Sequence, residues 1–435
     1  MIQVFKKLLG IILPFETKKF IKNTLFSLKL KKVRYLQGKA LKRVRKKTRI
    51  KVAFFLIHES VWKYAGIYKL MVQDERFDPV IIVCPYIVMG EEVMFRDMNQ
   101  AYNAFLEKGY KVIKTFNEET RIWLDVKKEL MPDMVFFTNP WKLTRPEYYI
   151  LNFLDTLTCY VPYFFHVTCH LERNYKGAVQ NLAWRVFYET QIHYNFAKRY
   201  SINKASNVII SGYPALDRFI LHSENIIDPW LQKDNNRKRI IWAPHHTIEG
   251  QDAGLSYSNF EKYAHFFIQL ANLYCSKLKF TFKPHPLLKA KLYINQNWGK
   301  IKTDNYFNKW EELENGQLVE GEYVDLFINS DALIHDSGSF TVEYLATGKP
   351  CLYTLHDSNV NERLNDFGKM ALNHHYTAKN EEEIIHFIED VVISGKDTMK
   401  DIRNSFINQY LLPPHNKSAS ENIFNELVNS IKPII

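Results

Sequence analysis

From Lys51 onward the chain alternates short apolar runs with longer amphipathic stretches, and this alternation limits its possible folds more than any other feature. KVAFFLIH (51–58), PVIIVCP (79–85), YKVI (110–113), DMVFFTNP (133–140) and YVPYFFHVT (160–168) read as strands, and NVIISGYPALDRF (207–219) adds a strand, a turn and a helix. A second series has strands in RIIWAPHH (239–246), LKFTFKPHP (278–286), DALIHDS (331–337) and PCLYTL (350–355), with helices at 259–275, 323–330, 381–394 and 418–432. Runs that are apolar throughout belong to strands covered on both faces, as in parallel sheets with crossover helices. The fold class expected is α/β, with two Rossmann-like domains facing a cleft.

A chain of 435 residues exceeds one ordinary core. The polar tract HSENIIDPWLQKDNNRKR (222–239) places the boundary near 230, giving an N-terminal domain over 51–230 and a C-terminal domain over 231–435. The last helix is expected to cross back onto the first domain. Five scattered cysteines without a CxxC pair indicate a reducing compartment and exclude a disulfide framework or a cysteine zinc site.

The net charge of +11 resides in residues 1–50, which hold 16 Lys/Arg against one acid, Glu16. The other 385 residues carry 42 basic and 46 acidic side chains. Val4, Phe5, Leu8, Leu9, Ile11 and Ile12 alternate with lysines in this arm, and Phe20, Ile21, Leu25 and Leu28 recur at helical spacing. Its longest uncharged run, Leu8 to Phe15, is far shorter than the roughly 20 residues that span a bilayer. No small-residue cleavage site accompanies it. A basic amphipathic arm of this kind is expected to lie on an anionic membrane surface. The plainer alternative is a helix packed on its own protein. No aromatic-basic motif elsewhere supports nucleic-acid binding.

Ligands of open α/β sheets bind beyond the carboxyl ends of the strands. Four strand ends carry histidine there: HVTCH (166–170), APHHT (243–247), KPHP (283–286) and HDSGS (335–339). In the last, Ser337, Gly338 and Ser339 precede an apparent helix ended by Gly348 and Pro350, with Ser339 as the expected N-cap. Such a terminus attracts anions, and Glu343 one turn in could accept a ribose hydroxyl bond. An ordinary capped helix would look the same. His285 sits between two prolines beside Lys283 and suits proton transfer or phosphate binding. His245 and His246 are adjacent, so on an extended chain their side chains diverge and only one would face a ligand. No HxH, HExxH or DxD spacing points to a metal.

Taken together, these segments resemble the CDP-glycerol glycerophosphotransferase family, teichoic-acid primases and polymerases with a GT-B fold. The family's HGT resembles HVT (166–168), SGYPRND resembles SGYPALD (211–217), and YAPTW resembles WAPHH (242–246). Its HP resembles His285-Pro286, and TDYSSVFFDYANTGRP resembles HDSGSFTVEYLATGKP (335–350). The resemblance implies that His166 acts as base on the acceptor hydroxyl, with Thr168 as a possible addition to the site. It implies that His285 stabilises the donor phosphates or protonates the leaving group. Lys283, Ser337, Gly338, Ser339, Thr341 and Glu343 would bind the donor, with His245, His246 and Asp336 as possible additions. The implied reaction is attack of an alcohol on the β-phosphorus of CDP-glycerol or a related donor, releasing CMP, without a tightly bound cofactor or metal. A lipid-linked or glycan acceptor at the cytoplasmic face of the membrane, in teichoic-acid-like polymer or capsule synthesis, is the implied setting. Val167 stands where the family has Gly, and Gly338 where it has Ser. DSGS…E also resembles the DSGG…EE turn of UDP-N-acetylglucosamine 2-epimerases, so a nucleotide-sugar enzyme is the alternative. A non-catalytic GT-B scaffold is the second alternative.

Overall fold

The computed structural model describes residues 15–221, 226–231, 236–248, 257–357 and 359–433, with side chains from residue 24. The chain forms two compact units. The first comprises the described residues up to Tyr163, then Leu171–Ser211 and Ser420 onward; the second comprises Phe164–His170 and Gly212–Ala419.

The first unit is built on strands β1 (Ile50–Leu56), β2 (Phe77–Val83), β3 (Val112–Lys114), β6 (Met134–Phe137), β7 (Leu157–Tyr160), β8 (Arg185–Tyr188) and β9 (Val208–Ile210), with a small hairpin of β4 (Phe116–Asn117) and β5 (Ile122–Trp123). The seven strands run parallel in the order β3-β2-β1-β6-β7-β8-β9. Six of the seven β1 residues are buried, as a strand covered on both faces requires. Phe54 of β1 stacks on Phe136 of β6 with ring centroids 4.6 Å apart. The C-terminal helix Ala419–Ile431 packs Phe424 against Phe77 and pairs Glu426 with Arg185 at 3.0 Å.

Residues Phe15–Val44 form one 30-residue helix. Val33, Gln37, Ala40 and Val44, spaced to share a face, are buried. Gln37 Nε2 donates to the Leu182 carbonyl at 2.7 Å, and Arg34 Nη1 to the Ala183 carbonyl at 2.9 Å. The second half of the arm is therefore seated on its own unit, while Leu25, Leu28 and Tyr35 are more than half exposed. The apolar residues Val4 to Ile12 lie outside the described residues, as do the side chains of Phe20 and Ile21. No described helix is long and apolar enough to cross a membrane.

The second unit holds β10 (Lys238–Ala243), β11 (Leu278–Phe282), β12 (Gly316–Leu318), β13 (Ala332–His335), β14 (Cys351–Thr354) and β15 (Tyr376–Ala378), all parallel. Their order, β12-β11-β10-β13-β14-β15, is the 3-2-1-4-5-6 arrangement of dinucleotide-binding sheets. Trp242 of β10 centres the core, stacked on Phe267 at 4.2 Å and on Phe282 at 5.1 Å.

The segment expected as a strand through Thr168 ends as one at Tyr160. Beyond Tyr163 the chain leaves the first unit, and Phe164–His170 packs with the second. Pro162, two residues after Tyr160, lacks the amide N–H that would continue a ladder. The strand expected in PCLYTL (350–355) is present as β14, and β15, which was not expected, follows it.

Candidate functional site

In a 3-2-1-4-5-6 sheet the topological switch lies between the first and fourth strands, here β10 and β13. The loop after β10 carries His245 and His246, the loop after β11 carries Lys283 and His285, and the turn after β13 carries Asp336 to Ser339. Three of the four histidine-bearing strand ends thus converge on one edge of one sheet.

Asp336 ties this edge together. It is fully buried, and its Oδ1 accepts the His245 backbone N–H at 2.6 Å while Oδ2 accepts that of Asn259, at the start of helix Phe260–Leu273, at 2.6 Å. Burial pushes its carboxyl up to about 7 against the lowering effect of those bonds. It is a strut between loops.

The strand ends at Ala243 and the chain bends at His246, with the strut holding the His245 amide, so His245 and His246 do not lie on an extended strand. Their rings sit together at 4.2 Å, contrary to the expectation that only one would face a ligand. The His285 ring lies 4.3 Å from His246 and 5.2 Å from His245. One ring nitrogen from each imidazole falls within 4.8 Å of the other two. Burial first, and then the neighbouring His246 imidazole and the Lys291 ammonium, hold His245 and His285 well below the usual histidine range. Lys283, next but one to His285, is buried and brought down to about 8 by desolvation. Its Nζ makes a long 3.4 Å bond to the Glu320 carbonyl.

Hydrogen-bond donors decide what three close imidazoles can hold. The Leu287 amide donates to His285 Nδ1 at 3.1 Å, the Thr247 amide to His245 Nδ1 at 3.4 Å, and Lys291 Nζ to His246 Nδ1 at 2.9 Å. A metal-ligating histidine instead donates its second nitrogen to an acceptor. With the Leu287 amide, the Thr247 amide and the Lys291 ammonium as donors to Nδ1, the ring proton is favoured on Nε2, and the cluster then offers N–H groups suited to anionic oxygen. The Thr247 hydroxyl, 3.2 Å from His245 Nδ1, can donate to it as well. Spacing in the sequence did not single out Lys291, which the helix Leu288–Ile294 brings to His246.

The serine turn differs from the capped helix expected. Only Phe340–Glu343 is α-helical, followed by a 3-10 turn at Leu345–Thr347. Ser339 has helical φ/ψ and makes no capping bond, because the turn is already wound at that residue. Its hydroxyl lies 3.4 Å from that of Ser337. Thr341 is buried and donates to the Ser337 carbonyl at 3.0 Å, which braces the turn rather than presenting a hydroxyl. Glu343 is buried and takes the Tyr323 hydroxyl.

His166 reaches the same unit through the Phe164–His170 segment. Asn365 Nδ2 donates to the His166 carbonyl at 2.7 Å, the Asn365 amide to the Val167 carbonyl at 2.8 Å, and Thr168 forms a bridge with Leu364. The His166 ring is buried edge-on to Phe164 at 4.8 Å. A methyl group on Gly338 would stand 3.7 Å from Val167 Cγ2, so the residue after His166 borders the serine turn. Val167, in place of the Gly of the resembling motif, fills that border.

Comparison with known proteins gives the family and the fold. The family model for CDP-Glycerol:Poly(glycerophosphate) glycerophosphotransferase matches residues 179–429. The wall teichoic acid polymerase TagF, in a variant soaked with CDPG, is 12% identical with a TM-score of 0.56, covering 96% of this chain and 98% of that one. The S. aureus MnaA-UDP co-structure is 15% identical with a TM-score of 0.52, covering 88% and 99%. A UDP-GlcNAc 2-epimerase from Neisseria meningitidis bound to UDP-GlcNAc is 15% identical with a TM-score of 0.51, covering 88% and 100%. A search of curated proteins finds no match. The fold is GT-B-like, and the chain, an enzyme, belongs to the CDP-glycerol:poly(glycerophosphate) glycerophosphotransferase family.

Proposed function

We propose that the protein transfers glycerol phosphate, or a related alditol phosphate, from a CDP-linked donor to a lipid-linked or glycan acceptor in surface-polymer synthesis, releasing CMP. The observation that carries this reading is the convergence of three imidazoles, with Nδ1 of each engaged, on the sheet edge that also bears Ser337 and Ser339. N–H groups of His245, His246 and His285 and the serine hydroxyls would bind the pyrophosphate oxygens. Lys283 and Lys291 would add positive charge. His166 would take the proton of the acceptor hydroxyl as its oxygen attacks the β-phosphorus. A new P–O ester bond forms there, the anhydride bond breaks, and the electron pair leaves on CMP. Such transfer depends mostly on positioning and preorganised charge, so no resident cofactor or metal enters the scheme. The work would take place at the cytoplasmic face of the membrane, with the basic arm holding the protein to anionic lipid.

Binding of CDP-glycerol, CDP-ribitol, UDP-N-acetylglucosamine and GDP-mannose to the purified protein tests the reading, with His285→Ala and Ser339→Ala as controls. A CDP-selective signal weakened at least about tenfold in both variants, about 1.4 kcal/mol, followed by CMP release on adding acceptor, is the expected result. Selective binding of a UDP- or GDP-sugar would replace it with a nucleotide-sugar activity.

A further inference from the structure

The first unit contains a cavity of about 350 Å³ that the donor chemistry leaves unused. It lies beyond the carboxyl ends of β2, β3 and β6, the side on which parallel sheets bind ligands. Its size falls within the roughly 300–1,000 Å³ of small-molecule sites. Phe95, Phe116 and Trp123 form an aromatic wall, with Phe116 4.7 Å from each of the other two rings. Two guanidiniums border it. Arg145 lies 4.5 Å from the centroid of the Trp123 ring, and Arg121 5.4 Å from that of Phe116. Arg121 occupies the hairpin tip with φ of 58°, a left-handed conformation uncommon for a side chain of its size. Glu91, at the start of helix Glu91–Glu107, also lines it.

The chemistry of this wall is specific. A guanidinium lying over an aromatic ring keeps its N–H edge free for bidentate contact with a phosphate. Arg145 also donates through Nη2 to Glu147 at 2.8 Å, but its Nε is buried and has no hydrogen-bond partner. Ring faces pack against the C–H surface of a polyol or sugar, and the Glu91 carboxylate can accept its hydroxyl bonds. Among the lining residues two guanidiniums face one carboxylate, and Glu147, outside the lining, is already paired with Arg145.

We infer that this cavity binds a phosphate ester of a polyol or sugar, the chemistry of an acceptor's phosphorylated end. The assignment of the ligand as acceptor rests on the transferase reading above; the binding chemistry does not. Phosphate contacts Arg145 and Arg121, and the carbon skeleton lies along Phe95 and Trp123.

The test uses the full chain labelled with 5-fluorotryptophan, with the Trp123 resonance assigned from Trp123→Phe. Titration with sn-glycerol 3-phosphate should move that resonance, and Arg145→Ala should weaken the response about tenfold or more. Arg121→Ala, at an exposed hairpin tip, should weaken it too and guards against a folding defect in the first variant. CDP-glycerol affinity should be unchanged in both. An unmoved Trp123 resonance, or equal titrations in wild type and both variants, would overturn the inference. So would inorganic phosphate binding as tightly as the ester, because it would leave the aromatic wall without a role. Donor affinity, read separately, reports on the transferase proposal whichever way the cavity behaves.

Discussion

Asp336 Oδ1 accepts the backbone N–H of His245 at 2.6 Å, joining the loops that leave the first and fourth strands of the second sheet. The same carboxylate takes the Asn259 amide through Oδ2. One side chain thereby holds both the loop that brings two histidines together and the start of the following helix.

Replacing it should be costly and should change the pH dependence of stability. Asp336→Asn keeps one acceptor and sets an NH₂ against the other amide, for a loss of about 1–3 kcal/mol. The folded carboxyl titrates at about 7, whereas an unfolded aspartate titrates at about 3.9. Between those values the folded state holds a proton that the unfolded state has released, so this group's contribution falls as pH rises from about 4 to about 7. Urea unfolding at several pH values should show that downward component in the wild type and its absence in Asp336→Asn. An identical pH slope in both proteins would remove Asp336 as its source.

Donor binding should take up protons. Burial keeps the free His245 and His285 well below the usual range, hence neutral at pH 7. Phosphate oxygens placed against them favour the charged form and raise both. Affinity for CDP-glycerol should therefore increase as pH falls from about 8 to about 6, through protonation of Lys283 at about 8 and of the imidazoles toward the ordinary histidine region near 6.5. Lys283→Met removes the first component and leaves the second. Calorimetry in buffers of different ionisation enthalpy measures the uptake directly. Net proton release would contradict the imidazole cradle.

Asn365 has two separable tasks. Its Oδ1 accepts the Gly368 amide at 2.8 Å and caps helix Asp366–Leu372, while its Nδ2 holds the His166 carbonyl. Asn365→Asp preserves the cap but turns an acceptor toward that carbonyl. The expected outcome is a loss of about 1–3 kcal/mol in how the His166 segment is held. Turnover should fall about tenfold or more with CDP-glycerol affinity nearly unchanged. Gly368→Ala reaches the same segment from the other side, since a Cβ there would stand 2.5 Å from the Val167 carbonyl oxygen. Normal turnover in both variants would separate His166 from the reaction.

The parallel sheets were legible because their strands are apolar on both faces, and strands such as IKVAFFL need no partner to be recognised. The short strands at Arg185–Tyr188, Gly316–Leu318 and Tyr376–Ala378 were not, because three or four residues carry too little pattern to separate from loops. The histidine-bearing strand ends were visible, yet the pairing of His245 with His246 was not, since it depends on a loop held by Asp336 from 91 residues away. Lys291 was invisible for a similar reason: only the path of the helix after Pro286 carries it back to His246. Ser339 misled in the other direction. Its hydroxyl suits a cap, but the backbone is already helical there.

The arm provides a test of membrane attachment that the seated half of its helix makes sharper. Deleting residues 1–48 would strip Val33, Ala40 and Val44 from the face they cover and remove the Gln37 bond to Leu182. Full burial of a residue such as Val contributes about 1.5–3 kcal/mol, so that deletion should unfold or aggregate the first unit and reveal nothing about lipid. Deletion of residues 1–22 leaves the seated half in place. It should preserve the thermal midpoint while reducing sedimentation with anionic vesicles, because each basic residue near such a surface contributes about 1 kcal/mol. Leu25→Glu with Leu28→Glu, at positions 61% and 57% exposed, should weaken sedimentation further without loss of stability. The interaction should fade as salt is raised toward 0.5 M, where the screening length falls to roughly 4 Å. Sedimentation that survives both the deletion and the paired substitution would place the membrane contact elsewhere on the protein.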